Sequence, residues 1–356
     1  MSHFISVERI RGEDLEDIWP LCTKIAVNMS YPSFFCCGEW LKTAANALCY
    51  KNELSILVVK KNDCVKALLP LVSKRNILGG NDLHFLGTDF FPDPVGLICS
   101  PTDRDESVLV LKKYLLAISG WDRFIMNWVL QDEQIAWNLP SKCISTENFK
   151  TLPHDFNKLL GNFKKKKRYN LRAMARKFLD AGGRMIASTD RSSYKYFLDI
   201  LFLLHQKRAE ERIHKSTFAG SRVEAFHQQL IHSTDRACFY GLLLNQQIIS
   251  VIYGFKFDNR FFYYQVAHDP DYADLSPGTV LLFFVIEDCC LKGVKEFNFL
   301  QGDESYKKIW TNESRALYRC VFSNKTWRSY IFDFVDQVRF LRNRFLRKMC
   351  RITLEQ

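Results

Sequence analysis

Glycine and proline are both scarce in this 356-residue chain, at 16 and 10 residues. So few breakers exclude long flexible linkers and collagen-like or low-complexity segments. No stretch of about 18 residues is apolar without interruption by charge, so no membrane-spanning helix is expected. Residues Met1 to Ile10 lack a basic segment followed by an apolar core, and the expectation is a soluble cytoplasmic protein. Twelve cysteines are present, yet none forms a C-x-x-C pair, and the neighbours Cys36-Cys37 and Cys289-Cys290 do not easily bridge to each other. Cys49, Cys64, Cys99, Cys238 and Cys320 are scattered through apolar segments, the usage of buried free thiols in a reducing compartment. The eight histidines lack zinc spacing: His227 and His232 are five apart, off one helical face, and no metal is expected.

Apolar side chains are plentiful. The chain is 47% hydrophobic with 29 phenylalanines, enough for large cores, and its length suggests two domains. Lysine plus arginine number 50 against 39 acids, a net charge of +11. That sign favours polyanions such as nucleic acid, anionic lipid or phosphate-bearing ligands without choosing among them.

The second half has the clearest pattern. Ala237–Leu244, Ile248–Phe257 and Phe261–Ala267 read as strands joined by the polar turns Asn245-Gln246-Gln247 and Asp258-Asn259-Arg260, an antiparallel meander. Thr279–Lys292 reads as a helix stopped at Gly293, and Glu296–Leu300 as a further buried strand. The first half repeats this order faintly. Glu53–Val59 and Cys64–Ser73 flank the turn at Lys61-Asn62-Asp63, with Leu83–Leu86 and Val95–Cys99 as two shorter strands. Ser107–Ile118 follows as a helix and Arg123–Val129 as a strand. Asn62 matches Asn245, Gly120 matches Gly293 and Phe124 matches Phe297, which suggests a duplicated unit.

Two segments are strongly basic. Residues 163–179 form an amphipathic helix with Phe163, Leu171, Met174 and Phe178 on one face. Lys164, Lys165, Lys166, Lys167, Arg168 and Arg172 lie on the other, and Gly182-Gly183 ends it. A solvated face is one reading; the others are a contact to phosphates of coenzyme A, a nucleotide sugar or tRNA, with steep salt dependence. Residues 327–351 form a second basic helix, with Trp327, Ile331, Phe334, Val338, Leu341 and Phe345 as a stripe. That stripe is expected to dock against the body of the protein, with contact to an anionic membrane face as the alternative.

A meander that leads into a loop and a helix start is a good phosphate site, because the first helical turn leaves N–H groups unpaired. Ser276-Pro277-Gly278 stands there, with Ser276 as an ordinary cap in the plainer reading. With Tyr264, Ala267-His268-Asp269, Gly293, Phe297, Phe299, Gly302-Asp303-Glu304, Tyr306-Lys307 and Trp310, the series resembles the acyltransferases typified by the cellulose-biosynthesis protein CelD. It is similar in turn to the Fem peptidyltransferases, which carry two GNAT-like (N-acetyltransferase) domains in tandem. Leu204-His205, Arg208, the basic helix and Asp93-Pro94-Val95 also fit the pattern, and the likeness covers most of residues 20–325.

The resemblance implies an α+β fold of tandem GNAT-like domains with mixed, mostly antiparallel sheets flanked by helices. The expected division is a degenerate domain over 1–155, an acyltransferase domain over 156–326 and the C-terminal helix over 327–356. It implies acetyl-CoA or a longer acyl-CoA as donor, gripped by Val266 and Ala267 on a splayed strand and by Ser276, Gly278 and Thr279 at the helix start. An amine of a small or envelope-saccharide acceptor would sit in the cleft between the halves. Asp303, Tyr306, His205 and His268 are the candidate acid–base groups, and Glu304, Lys307 and Arg208 the candidate substrate contacts. For Asp303 the plainer role is the cap of a helix Glu304–Trp310, for Tyr306 ring packing, for His268 closing a turn, and for His205 a helix groove. The usual Gly-x-Gly/Ala phosphate loop is absent, and Ala209-Glu210 follow Arg208 where the family often has Trp. Two alternatives stay open: an aminoacyl-tRNA donor, as in the Fem enzymes, and a non-catalytic scaffold for an anionic partner or a membrane at the inner face.

Overall fold

Left-handed turn residues set the meanders. Asn62-Asp63, Asn245-Gln246 and Asp258-Asn259 all have positive φ, between 44° and 65°, the geometry of two-residue type I′ hairpins. The computed structural model describes residues 4–48, 53–88, 94–188, 190–212, 218, 221–302 and 304–338. The first half runs β1 (Ile5–Ile10), α1 (Trp19–Ala26), α2 (Gly38–Leu48), β2 (Leu54–Lys61), β3 (Cys64–Arg75), β4 (Asn81–Phe85), β5 (Ile98–Cys99), α3 (Arg104–Ala117), β6 (Arg123–Val129), α4 (Gln131–Trp137) and β7 (Ser141–Thr151). The second runs α5 (Phe156–Gly161), α6 (Lys165–Asp180), β8 (Arg184–Ala187), α7 (Arg191–Arg212), α8 (Ser221–Ser233), β9 (Ala237–Leu244), β10 (Gln247–Phe257), β11 (Arg260–His268), α9 (Pro277–Leu291), β12 (Glu296–Gln301), α10 (Lys307–Trp310) and β13 (Glu313–Ser323). The α+β architecture expected from the sequence is present; Gly293 closes α9 with φ of 71°, whereas α3 ends on the extended Ile118 and Gly120, with φ of 92°, turns the chain two residues later.

The sheet is continuous, in the order β1-β2-β3-β4-β6-β13-β7-β12-β11-β10-β9-β8, with β5 paired to β3. Its centre is an exchange. β7 follows β6 in the chain but pairs with β12, and β13 follows β12 but pairs with β6, while β7 and β13 pair with each other. Each half thereby ends its sheet with a strand from the other. The sequence reading missed both exchanged strands.

One face of the sheet is a shared core. Trp40 of α2 meets Phe226 of α8 (5.0 Å), Phe34, Phe35, Phe255 and Tyr264, so the two halves bury aromatic surface together. Truncating Trp40 would cost about 3–5 kcal/mol on the scale of large-to-small core changes. On the other face α3 covers the first half, and α5, α6 and α9 cover the second. Buried thiols include Cys22, Cys36, Cys37, Cys289 and Cys290, whereas Cys64, at the start of β3, is exposed.

In each half two parallel strands pair briefly and then part. β4 and β6 pair only over Asp82–His84, and β11 and β12 only over Arg260–Phe262. Register through β6, β13, β7 and β12 makes β6 and β12 antiparallel, so the two openings point to opposite ends of the sheet.

Candidate active site

Beyond Phe262, β11 continues for six residues with β10 on one side and no β12 on the other. Its register against β10 slips between Tyr253 and Gly254, leaving Tyr264 as the extra residue of a β-bulge. Gly254 makes the bulge possible: a Cβ there would lie 2.5 Å from the Phe261 ring and 2.6 Å from the Phe262 carbonyl oxygen. The bulge bends β11 away from β12 and leaves residues 263–267 with an open backbone edge.

The side chains around this opening include most of the groups expected from the sequence. Tyr306, at the N-cap of α10, has its ring 6.2 Å from that of Tyr263. Burial first and the Glu304 charge second push the Tyr306 phenol up, while the neighbouring Tyr263 hydroxyl and the charge of Arg208 oppose the shift. Burial likewise raises fully buried Tyr263, which the sequence reading did not single out. His205 of α7 stacks 5.0 Å from Phe218, and its buried Nε2 has no hydrogen-bond partner. Burial, then the charges of Arg208 and His268, lower its pKa to about 4, so it is neutral at pH 7. Behind the bulge His227, also missed, is wholly buried between Tyr253 (3.5 Å) and Tyr264 (3.4 Å), and burial lowers it to about 3. His227 was hidden in the sequence because it sits in α8 with its partners far along the chain.

The loop after β11 is tied down by Lys207, whose Nζ lies 2.6 Å from both Asp269 and Asp271. Ser276 is left-handed (φ 49°) and opens α9, but its side chain caps nothing. Its carbonyl instead accepts the Thr279 and Val280 N–H groups at 3.0 and 3.1 Å. The Gly278 α-carbon faces the His268 ring, where an added Cβ would lie 3.4 Å from Nδ1. Val266 packs half-buried under α9, and Ala267 is buried with its carbonyl accepting the Ser250 hydroxyl at 3.0 Å. The open backbone here belongs to the edge of β11 rather than to a glycine-rich loop.

Lys307 is nearly buried. Its Nζ is shared among the carbonyl of Gln301 (2.6 Å), the carbonyl of Leu300 (3.4 Å) and Glu304 (2.8 Å), so it fastens the end of β12. Gly302 has φ of 116°, a conformation that residues with side chains rarely adopt, and a Cβ there would push the Glu304 carboxylate aside. Asp303 lies outside the described residues. The helix expected over Glu304–Trp310 starts only at Lys307.

The lysine run sits elsewhere. α6 starts at Lys165, and Lys177 near its other end donates to the Asp274 carbonyl beside the start of α9. Twelve residues at about 1.5 Å each put roughly 18 Å between the two ends. Lys164, Lys165 and Lys166 are exposed, while Lys167 lies 3.8 Å over the Phe163 ring. Arg168 reaches the Gly161 carbonyl (3.5 Å) and Arg172 the Asn157 amide oxygen (2.9 Å). These cations form a cluster apart from Ser276–Thr279. Among the described residues no group of His, Cys, Asp and Glu has the arrangement of a metal site.

With this geometry in place, the sequence match is decisive for the fold. Residues 165–308 match the family described as acetyltransferase (GNAT) domain. The fold is that of the GNAT and Fem acyltransferases. The FemX structure superposes with a TM-score of 0.62 at 11% identity, over 88% of this chain and 96% of FemX. The C-terminal domain of a putative lysylphosphatidylglycerol synthetase from Agrobacterium fabrum gives 0.57 at 10% identity, over 91% and 95%. The L-PGS structure from Bacillus licheniformis gives 0.54 at 14%, over 83% and 94%. No curated protein matches the sequence. Among the described residues no helix is long and apolar enough to cross a membrane.

Proposed function

We propose that the second half of the chain is a cytoplasmic acyl-CoA-dependent acyltransferase. The observation that carries this reading is the open edge of β11 beyond Phe262, created by the bulge at Tyr264. The amides of a pantetheine arm would add to that edge as an extra strand. The reaction joins the acceptor nitrogen to the thioester carbonyl carbon and breaks the carbon–sulfur bond. Tyr306, held protonated by burial, gives its phenolic proton to the leaving sulfur. His205 stays neutral and its buried Nε2 is unpartnered, so this reading gives it the orienting of the incoming amine or of a water that relays its proton. Asp303 is the residue to which this reading gives the final proton. The CelD-type pattern from Tyr264 to Trp310 favours an amine, or a hydroxyl, of a small or envelope-saccharide acceptor.

The test is thermal unfolding with acetyl-CoA and longer acyl-CoA. A donor at a hundred times its Kd stabilises the fold by about 2.7 kcal/mol, a rise of a few degrees in Tm. No shift with any acyl-CoA would remove this donor. A second reading keeps the fold and takes aminoacyl-tRNA. Its support is the start of α6, where Lys165, Lys166 and Lys167 stand with no acid in the first turn, against the helix dipole. Salt-sensitive tRNA binding abolished by charge reversal at Lys164 to Arg168 would favour it. Indifference to both donors would leave a non-catalytic scaffold.

A further inference from the structure

The helical residues 327–338 are inside out. The sequence places their apolar stripe against the body, but the structure turns it to solvent. Trp327 is 60% exposed, Phe334 66% and Val338 48%, and Tyr330 and Ile331 are also exposed. At about 100° per residue, Trp327, Ile331, Phe334 and Val338 fall within an arc of roughly 60°. The opposite side faces the protein and is largely polar. Ser329 is fully buried and donates to the Thr326 carbonyl (2.8 Å). Thr326 donates to Asp122 (2.7 Å), Asp333 accepts from Ser323 (2.8 Å), and Phe332 lies beneath the Arg123 guanidinium at 3.4 Å. Polar bonds thus fix the helix in a pose that presents its aromatic face outward.

The patch extends beyond the helix and is rimmed by cations. Arg328 stacks 4.7 Å over the Trp327 ring and donates to the Leu78 carbonyl at 3.1 Å. That contact joins the helix to the turn bearing Ile77, 91% exposed, which follows directly on Lys74 and Arg75. Lys325 stands exposed at the helix start. The chain continues with Arg339, Arg342, Arg344, Arg347 and Lys348, which lie outside the described residues.

A contiguous apolar face with Trp and Tyr, bordered by Lys and Arg, has the chemistry of the boundary between lipid headgroups and acyl chains. We infer that this face rests on an anionic membrane surface. The aromatic rings enter the headgroup layer, and the cations meet the negative lipids. The strand register supports a purpose for this placement. β11 and β12 open toward the end of the sheet where β6 begins and β13 ends, the end from which this helix springs.

The test is co-sedimentation of the full chain with vesicles of phosphatidylcholine alone or with about one-third phosphatidylglycerol. Binding is expected only to the anionic vesicles, with release at high salt. Trp327→Ser combined with Phe334→Ser should lower the bound fraction about tenfold with Tm unchanged, since both side chains are mostly exposed. Absence of binding to anionic vesicles, or binding that the double variant retains in full, would overturn the inference. So would a dimer in light scattering that the double variant dissolves while the wild type ignores vesicles. Each readout is independent of acyl transfer.

Discussion

The two openings of the sheet begin alike and end differently. Each has a three-residue parallel pairing followed by a gap. In the second half β11 runs six residues past the last pair and offers a free edge. In the first half β4 runs one residue past it, and the place beside β3 is taken instead by β5, which pairs Ile98 and Cys99 with Leu68 and Ala67. The approach to β5 lies against α4. The Leu97 N–H bonds to the buried carboxylate of Glu133 in α4 at 3.2 Å, and Gly96 lies against the same group. Glu133 also accepts the Trp137 indole N–H at 2.7 Å, and Arg104, at the start of α3, is ion-paired with Asp132. β5 thus stands beside β3 where the far end of β11 stands beside β10 in the other half. A splay becomes a site only when the strand beside it stays extended and unpaired, and the bulge at Tyr264 arranges this; β3 and β4 pair in regular register, with no such bulge.

The largest effect is expected where the comparison is chemical. Tyr306→Phe keeps the ring packing and removes the proton donor, so kcat should fall about 10²–10³-fold with little change in Tm. Tyr263→Phe, which removes only the hydroxyl of the ring beside Tyr306, should cost less. Steady-state kinetics with each variant decides this, and full activity in Tyr306→Phe would remove the acid from the mechanism. A smaller effect belongs to the closed half. Glu133→Ala strands the Leu97 and Trp137 N–H groups in the interior, a loss of about 2–3 kcal/mol in denaturant unfolding. Activity per folded molecule should be unchanged, and an equal loss of activity would show that the first opening takes part in the reaction.

Much of this was legible in the chain. Asn62, Asn245, Gly120 and Gly293 announced the repeat because turn and stop positions demand residues that tolerate positive φ. The strand Arg123–Val129 and the meander followed from β-branched and aromatic runs between those turns. The exchanged strands Ser141–Thr151 and Glu313–Ser323 were not legible. Each is half-buried and rich in charge, as SKCISTENFKT and ESRALYRCVFS show, and each is stabilised by a partner from the other half. Of the candidate site, Tyr306, His205, His268 and Arg208 are named by the family pattern, and the Arg208 charge acts on both Tyr306 and His205, as the His268 charge does on His205. Tyr263 and His227 were not, because their importance lies in burial and in partners far along the chain. Lys307 reads as a ligand contact, and in the structure its Nζ bonds carbonyls at the end of β12.

The smallest effect separates the halves by pH, because their buried groups err in opposite directions. Burial raises the Glu133 carboxyl despite the opposing charge of Arg104, so the folded state favours its protonated form. Stability from that group is present below the ordinary carboxylate value and is lost as pH rises through the folded one. Glu133→Gln, neutral throughout, should remove this loss and leave the first half as stable at pH 8 as at pH 5. His205 behaves in the other sense. Its pKa falls from 6.5 to about 4 on folding, so the unfolded chain binds a proton that the folded one refuses. Stability is therefore complete above pH 6.5 and declines as pH drops toward 4, by about 2 kcal/mol once partial exposure is allowed for. His205→Gln should flatten that decline in part, leaving the share due to His227, whose folded value is about 3. Hydrogen exchange read separately over residues 94–137 and 191–268 resolves the two trends. If both segments weaken together on acidification, the opposite burial of carboxylate and imidazole does not govern the two openings.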